Sequence, residues 1–105
     1  MRTVEFRRLL DNDSALRVAF ETDHGQIIRF VVQLECVFAE DGEWLPIVRY
    51  DTAHGYAHRD VMHPHKKEEK TKMSVQDYNE AFNLAMDDVV KQRFDYRKRY
   101  EEWLK

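Results

Sequence analysis

The sequence predicts an α+β fold in one domain, an antiparallel meander of four to five strands followed by a long C-terminal helix packed on the sheet. Three observations predict it. Ile28, Phe30, Val32, Leu34, Cys36 and Phe38 are six apolar residues at a strict period of two, with Arg29, Gln33 and Glu35 between them, the pattern of a half-buried antiparallel strand. Short polar clusters punctuate the first half of the chain. From residue 74 the apolar spacing changes to that of a helix, and no glycine or proline follows.

The elements follow in order. Val4, Phe6, Arg8 and Leu10 alternate with Thr3, Glu5, Arg7 and Leu9, and read as a first strand. Asp11 to Ser14 is a turn cluster. Leu16, Val18 and Phe20 mark a second strand, closed by Asp23-His24-Gly25. The strand around Phe30 to Phe38 is third, and Glu40 to Glu43 is a hairpin-type turn. Trp44 to Tyr50 reads as the fourth strand. Pro46 has no N–H to give to a ladder, so this strand is expected at an edge or bulged. One further short strand is expected near Ala57 to Met62. Residues 63–73 read as a solvated, mobile loop, so all strands fall within residues 2–62.

Ser74-Val75-Gln76-Asp77 resembles a capping box with Ser74 as N-cap, and a helix is expected over 74–104. Val75, Tyr78, Phe82, Ala85, Met86 and Val89 form its apolar stripe, continued by Tyr96, Tyr100, Trp103 and Leu104. Asp87 with Lys91 and Asp95 with Arg99 have the spacing of supporting ion pairs. Unbroken, such a helix would span roughly 43 Å, against about 33 Å for a ten-residue strand. It must therefore overhang, kink, or pack on a second copy.

The chain has 105 residues, 43% hydrophobic and 35% charged, with a formal net charge of −3. That suits one domain with one core and gives no global pull toward nucleic acid. A single cysteine, Cys36, excludes an intrachain disulfide and is expected in the core. No apolar run approaches the roughly 18 residues of a membrane helix. The first ten residues lack the apolar region of a signal peptide. These features predict a cytoplasmic protein without membrane association. No Gly-rich phosphate loop is present, and no cofactor is expected.

Chemistry concentrates in Arg49 to His65, where 17 residues hold four histidines, two aspartates, two arginines and two tyrosines. Histidine can pass a proton either way near neutral pH. A carboxylate can orient it, and arginine can hold a phosphate through two parallel hydrogen bonds. On that logic His54, His58 and Asp51 are candidate catalytic residues, and Arg49, Arg59 and Tyr50 candidate substrate-binding residues. The inventory is that of a metal-independent ribonuclease. A second chemistry is metal binding. His54 and His58 share a face if the segment is helical, His63 and His65 if it is extended, and Asp60 could add an oxygen; no strong zinc spacing results. The plain alternative is that these side chains only hydrogen-bond a loop onto the sheet. Tyr96, Tyr100 and Trp103 are core packing or, in a binding module, the contacts to a partner or second copy.

The run Arg49-Tyr50-Asp51, then His54, His58 and His63-Pro64-His65, resembles the core motif of TumE-type toxins of toxin–antitoxin modules, or of a sister family of uncharacterised small proteins. The resemblance covers residues 27–104, with the Arg49–His65 part specific. Where those toxins carry a tighter Pro-His-His run, this chain has Thr52-Ala53-His54-Gly55. The resemblance implies a strand-rich half followed by a helix, a growth-blocking role and an antitoxin protein as partner; RNA as the substrate is expected from the residue types. A homodimer and a non-catalytic interaction module are the rival expectations.

Overall fold

A computed structural model describes residues 1–105. Six strands form one antiparallel sheet in strict chain order: β1 (Arg2–Asp11), β2 (Ser14–Asp23), β3 (Gln26–Cys36), β4 (Leu45–Asp51), β5 (His58–Val61) and β6 (Glu69–Lys72). Two helices follow, α1 (Tyr78–Lys91) and α2 (Arg93–Leu104). The α+β meander is as the sequence predicts, with one strand more and the helix in two pieces.

Strand alternation builds the core. Leu16 and Val18 of β2, Phe30, Val32, Leu34 and Cys36 of β3, and Val48 and Tyr50 of β4 point to one face. There they meet Ala81, Ala85 and Val89 of α1 and Tyr96 and Tyr100 of α2 in one buried cluster. Phe30 sits edge-on to Tyr78 and Phe82, with ring centres 6.1 and 5.7 Å away. Cys36 is in this core as expected, and burial pushes its thiol up to about 12.

Three expectations need correction, and one alternative is decided. Glu69 to Lys72, read as part of a mobile loop, is β6, paired to β5 along its length. It is wholly exposed and has no apolar alternation. The Lys70 ammonium reaches Asp60 at 3.0 Å across the pair and helps define it. Of the two places expected for Pro46, the bulge holds and the edge does not. β4 lies between β3 and β5, and the register slips opposite Pro46 at Leu34/Glu35, so the missing N–H is absorbed by a bulge. The helix begins at Tyr78 with Asp77, not Ser74, as its N-cap; the Asp77 carboxylate accepts from the Glu80 N–H at 3.0 Å. Gln76 cannot join the helix because its amide pairs with the N–H and carbonyl of Ala57, both at 2.9 Å. The expected long helix breaks at Gln92. No proline or glycine causes this. Arg93 donates from Nη1 to the Val90 carbonyl and from Nε to Asp11 on β1 at 2.8 Å. The side chain takes a last-turn carbonyl where the helix breaks. The i,i+4 pair Asp87–Lys91 forms at 2.9 Å, whereas in α2 the pair is Arg97–Glu101.

One polar chain crosses the helix side. The Tyr50 and Tyr96 hydroxyls both donate to Asp88 Oδ2, and Arg59 donates to the Tyr96 oxygen at 3.1 Å. Burial, and then the neighbouring carboxylate, push both phenols up, so each keeps its proton as donor. Asp88→Ala leaves two buried hydroxyls without an acceptor. The expected loss is about 2–3 kcal/mol, read as a lower urea midpoint at unchanged slope. Asp88→Asn, which keeps an acceptor oxygen, is expected to lose less.

Candidate functional site

The face of the sheet away from the helices carries the polar chemistry. Two transverse rows cross all six strands. One is Arg7, Arg17, Gln33, Arg49, Asp60 and Lys70; the next is Glu5, Ala19, Val31, Asp51, His58 and Lys72. Gln33, Asp51, His58 and Asp60 of these rows are buried, whereas Val31 and Arg49 are partly so. Glu35 accepts from Arg7 and Arg17 at 3.0 Å each and from Gln33 at 2.8 Å, and Arg49 in turn donates to Gln33 at 2.8 Å.

His58 lies in the second row, on β5. Its side chain is 1% exposed and faces two carboxylates. Nε2 lies 2.7 Å from Asp51 Oδ1, and Nδ1 lies 3.3 Å from Asp60 Oδ1. Neither contact has the alignment of a regular hydrogen bond. The three residues meet because Asp51 and His58 are direct cross-strand partners and Asp60 is two residues further along β5. The same Asp51 oxygen accepts from the Ala53 N–H at 3.0 Å, which ties the following turn to the site. Lys70, the last member of the first row, bonds to Asp60, and that bond holds the ammonium above the usual range.

That turn, Ala53–Gly55, presents His54. Its φ is +71°, in the left-handed region that non-glycine residues seldom occupy. The imidazole is exposed, with its ring centre 6.1 Å from that of His58. The Tyr56 ring lies 5.2 Å from His58 on centres. Beside the turn is a half-open cavity of about 610 Å³. Ala19 and Val31 are small residues of its lining, which also takes in Glu5, Glu21, Arg29, Asp51, Thr52, Ala53 and Gly55. Arg29 is largely exposed and pairs with Glu21 at 2.9 Å. It is the cation of this cavity, and the sequence reading passed over it because it lies 20 residues before the His-rich segment. Its place opposite the apolar face of β3 was the available signal.

The sequence-derived set therefore divides. Asp51, His58 and Arg49 share the open face, and His54 stands beside it. Tyr50 and Arg59 do not join them. They sit between these residues in sequence, so alternation sends both to the helix side and into the Asp88 chain. Arg49 is turned to Gln33 and is not part of the cavity lining. Tyr96 and Tyr100, offered as partner contacts, are buried in the core of this chain. Trp103 is half-buried, its ring stacked on His63 at 4.4 Å. Partial burial, then the positive charges of Lys66 and His65, hold the His63 imidazole below its usual range. His63, His65 and Asp60 do not converge. Asp60 is taken by Lys70 and His58, and no three His, Cys, Asp or Glu side chains are grouped to hold a metal ion. No helix is long and apolar enough to cross a membrane.

The model of one protein family, a domain of unknown function termed DUF7718, matches residues 1–105. The chain belongs to the DUF7718 family. No curated protein and no solved structure matches it. The DUF7718 match spans the whole meander and both helices, so the open-face rows and the cavity all lie within the family's domain.

Proposed function

We propose that the open face is an acid–base site for cleaving RNA, working without a metal ion. The observation that carries this reading is the buried His58 set behind Asp51, which itself lines the cavity beside an exposed, strained His54. Backbone strain of this kind clusters at functional sites. The order of roles differs from the one the sequence suggested. His58 is too buried to touch a substrate, so it is a positioning residue that fixes the Asp51 carboxylate. His54 is exposed and Asp51, although largely buried, lines the cavity; these two are the groups able to exchange protons with a ligand. Arg29 is the cation available to a phosphate in the cavity.

In the cleavage step one of these two groups removes the proton of a ribose 2′-hydroxyl. The 2′-oxygen attacks the adjacent phosphorus and the bond to the 5′-oxygen breaks. The other group protonates that leaving oxygen, giving a 2′,3′-cyclic phosphate and a 5′-hydroxyl. The balance needs no oxidant, cofactor or metal. The resemblance of Arg49 to His65 to TumE-type toxins adds growth arrest and an antitoxin partner.

The test is cleavage of a fluorophore-labelled single-stranded RNA by purified protein in the presence of chelator. Wild type is expected to cut. His54→Ala is expected to lose at least about a hundredfold in rate, the usual contribution of a positioned proton carrier, with unchanged circular dichroism. A single-stranded RNA whose 2′-hydroxyls are methylated should resist. Cleavage that survives in His54→Ala, or a wild type that does not cut, overturns the reading.

A further inference from the structure

β1 ends the sheet without a partner. It is ten residues long, its helix-side Phe6 is 40% exposed, and its open-face Leu9 is 60% exposed. The opposite edge, β6, has only four residues, all polar. Long exposed edges are templates for a further strand. β1 has no proline or glycine, and its register with β2 is regular from Arg2 to Leu9, so nothing in its backbone blocks such pairing.

We propose that β1 pairs antiparallel with β1 of a second copy, centred on Phe6, to make one twelve-stranded sheet. The pairing is selected by charge. A two-fold axis normal to the sheet keeps each residue opposite one of the same face. With Phe6 on the axis, Glu5 lies opposite Arg7 of the second copy, twice, and nine residues from Arg2 to Leu10 are paired. Moving the centre to Glu5 sets Glu5 against Glu5 and Arg2 against Arg8. Moving it to Arg7 sets Arg7 against Arg7. Opposite charges directly across a sheet stabilise it and like charges destabilise it, so of these three registers, the ones that pair the most residues, the Phe6 register is favoured. Both exposed Phe6 rings are then covered on the helix side. On the open face, Arg7 of the second copy stands against Glu5, which lines the 610 Å³ cavity.

The dimer is read from mass, so it stands or falls separately from RNA cleavage. Sedimentation of the full chain should show twice the monomer mass at high protein concentration. Glu5→Lys, which turns both charge pairs repulsive, should weaken dimerisation about tenfold or more while leaving circular dichroism unchanged. Register is tested by mild oxidation. Phe6→Cys should give a disulfide-linked dimer, since residues on the axis have Cα atoms within about 4.5–5.5 Å, the reach of a disulfide. Val4→Cys should not, because its counterpart would be roughly 13 Å away along the strands. A chain that stays monomeric at every concentration, or cross-linking that is equal at both positions, overturns the proposal.

Discussion

Replacing His58 with alanine is expected to cost about 3–5 kcal/mol, the usual penalty for truncating a large, fully buried ring. That is a large share of the stability of a domain this size, and the melting temperature should fall by at least about 12 °C. The loss has two sources that can be separated. One is the cavity left by a buried ring. The other is electrostatic. Asp60 keeps Lys70 at 3.0 Å, but Asp51 loses its only close basic side chain and keeps just the Ala53 N–H. Neutralising that carboxylate should therefore help. In thermal and urea unfolding, Asp51→Asn added to His58→Ala is expected to recover part of the loss, while the same change in the wild type destabilises. If Asp51→Asn lowers stability equally in both backgrounds, the cavity alone is responsible, and His58 is a packing residue with no hold on Asp51.

The meander was legible because period-two alternation is strong in β1 to β3 and their turns are polar. β6 was not, since Glu69-Lys70-Thr71-Lys72 has no apolar face; it is a strand because β5 offers it an edge and Asp60 offers it a charge. The break at Gln92 was foreseeable only as a length mismatch between helix and sheet. Its agent, Arg93 bonded to Asp11, is a contact 82 residues apart in sequence. The same division holds for the site. Asp51, His54 and His58 were visible as a local cluster, and they do come together. Tyr50 and Arg59 were assigned with them because proximity in sequence was counted ahead of alternation. Extending the strand pattern of β4 through Asp51 would have sent Tyr50 to the other face. Arg29 and Glu5 reach the cavity from β3 and β1, and only the pairing of strands brings them there.

Acid stability is expected to hinge on Glu35, a residue outside the proposed catalytic set. Its burial on the open face pushes the carboxyl up, but the bonds from Arg7, Arg17 and Gln33 outweigh that and hold it below the usual glutamate range. Asp11, bonded by Arg93 and Ser14, is held low as well. A carboxylate whose folded pKa is depressed binds its proton more readily in the unfolded chain. Its contribution is complete above the ordinary carboxylate range, and is lost as pH falls below about 4.5 toward the folded pKa. Urea unfolding followed from pH 7 to pH 3 should show stability falling mainly below about pH 4.5. Glu35→Gln is expected to cost about 2–3 kcal/mol at pH 7, because three donors lose a charged acceptor. The two curves should approach each other toward pH 3, where the wild-type carboxyl is losing its charge too. Curves that stay parallel across that range would mean the three bonds act through their geometry alone. In that case the charge of Glu35 would have no part in holding β1, β2 and β3 together across the open face.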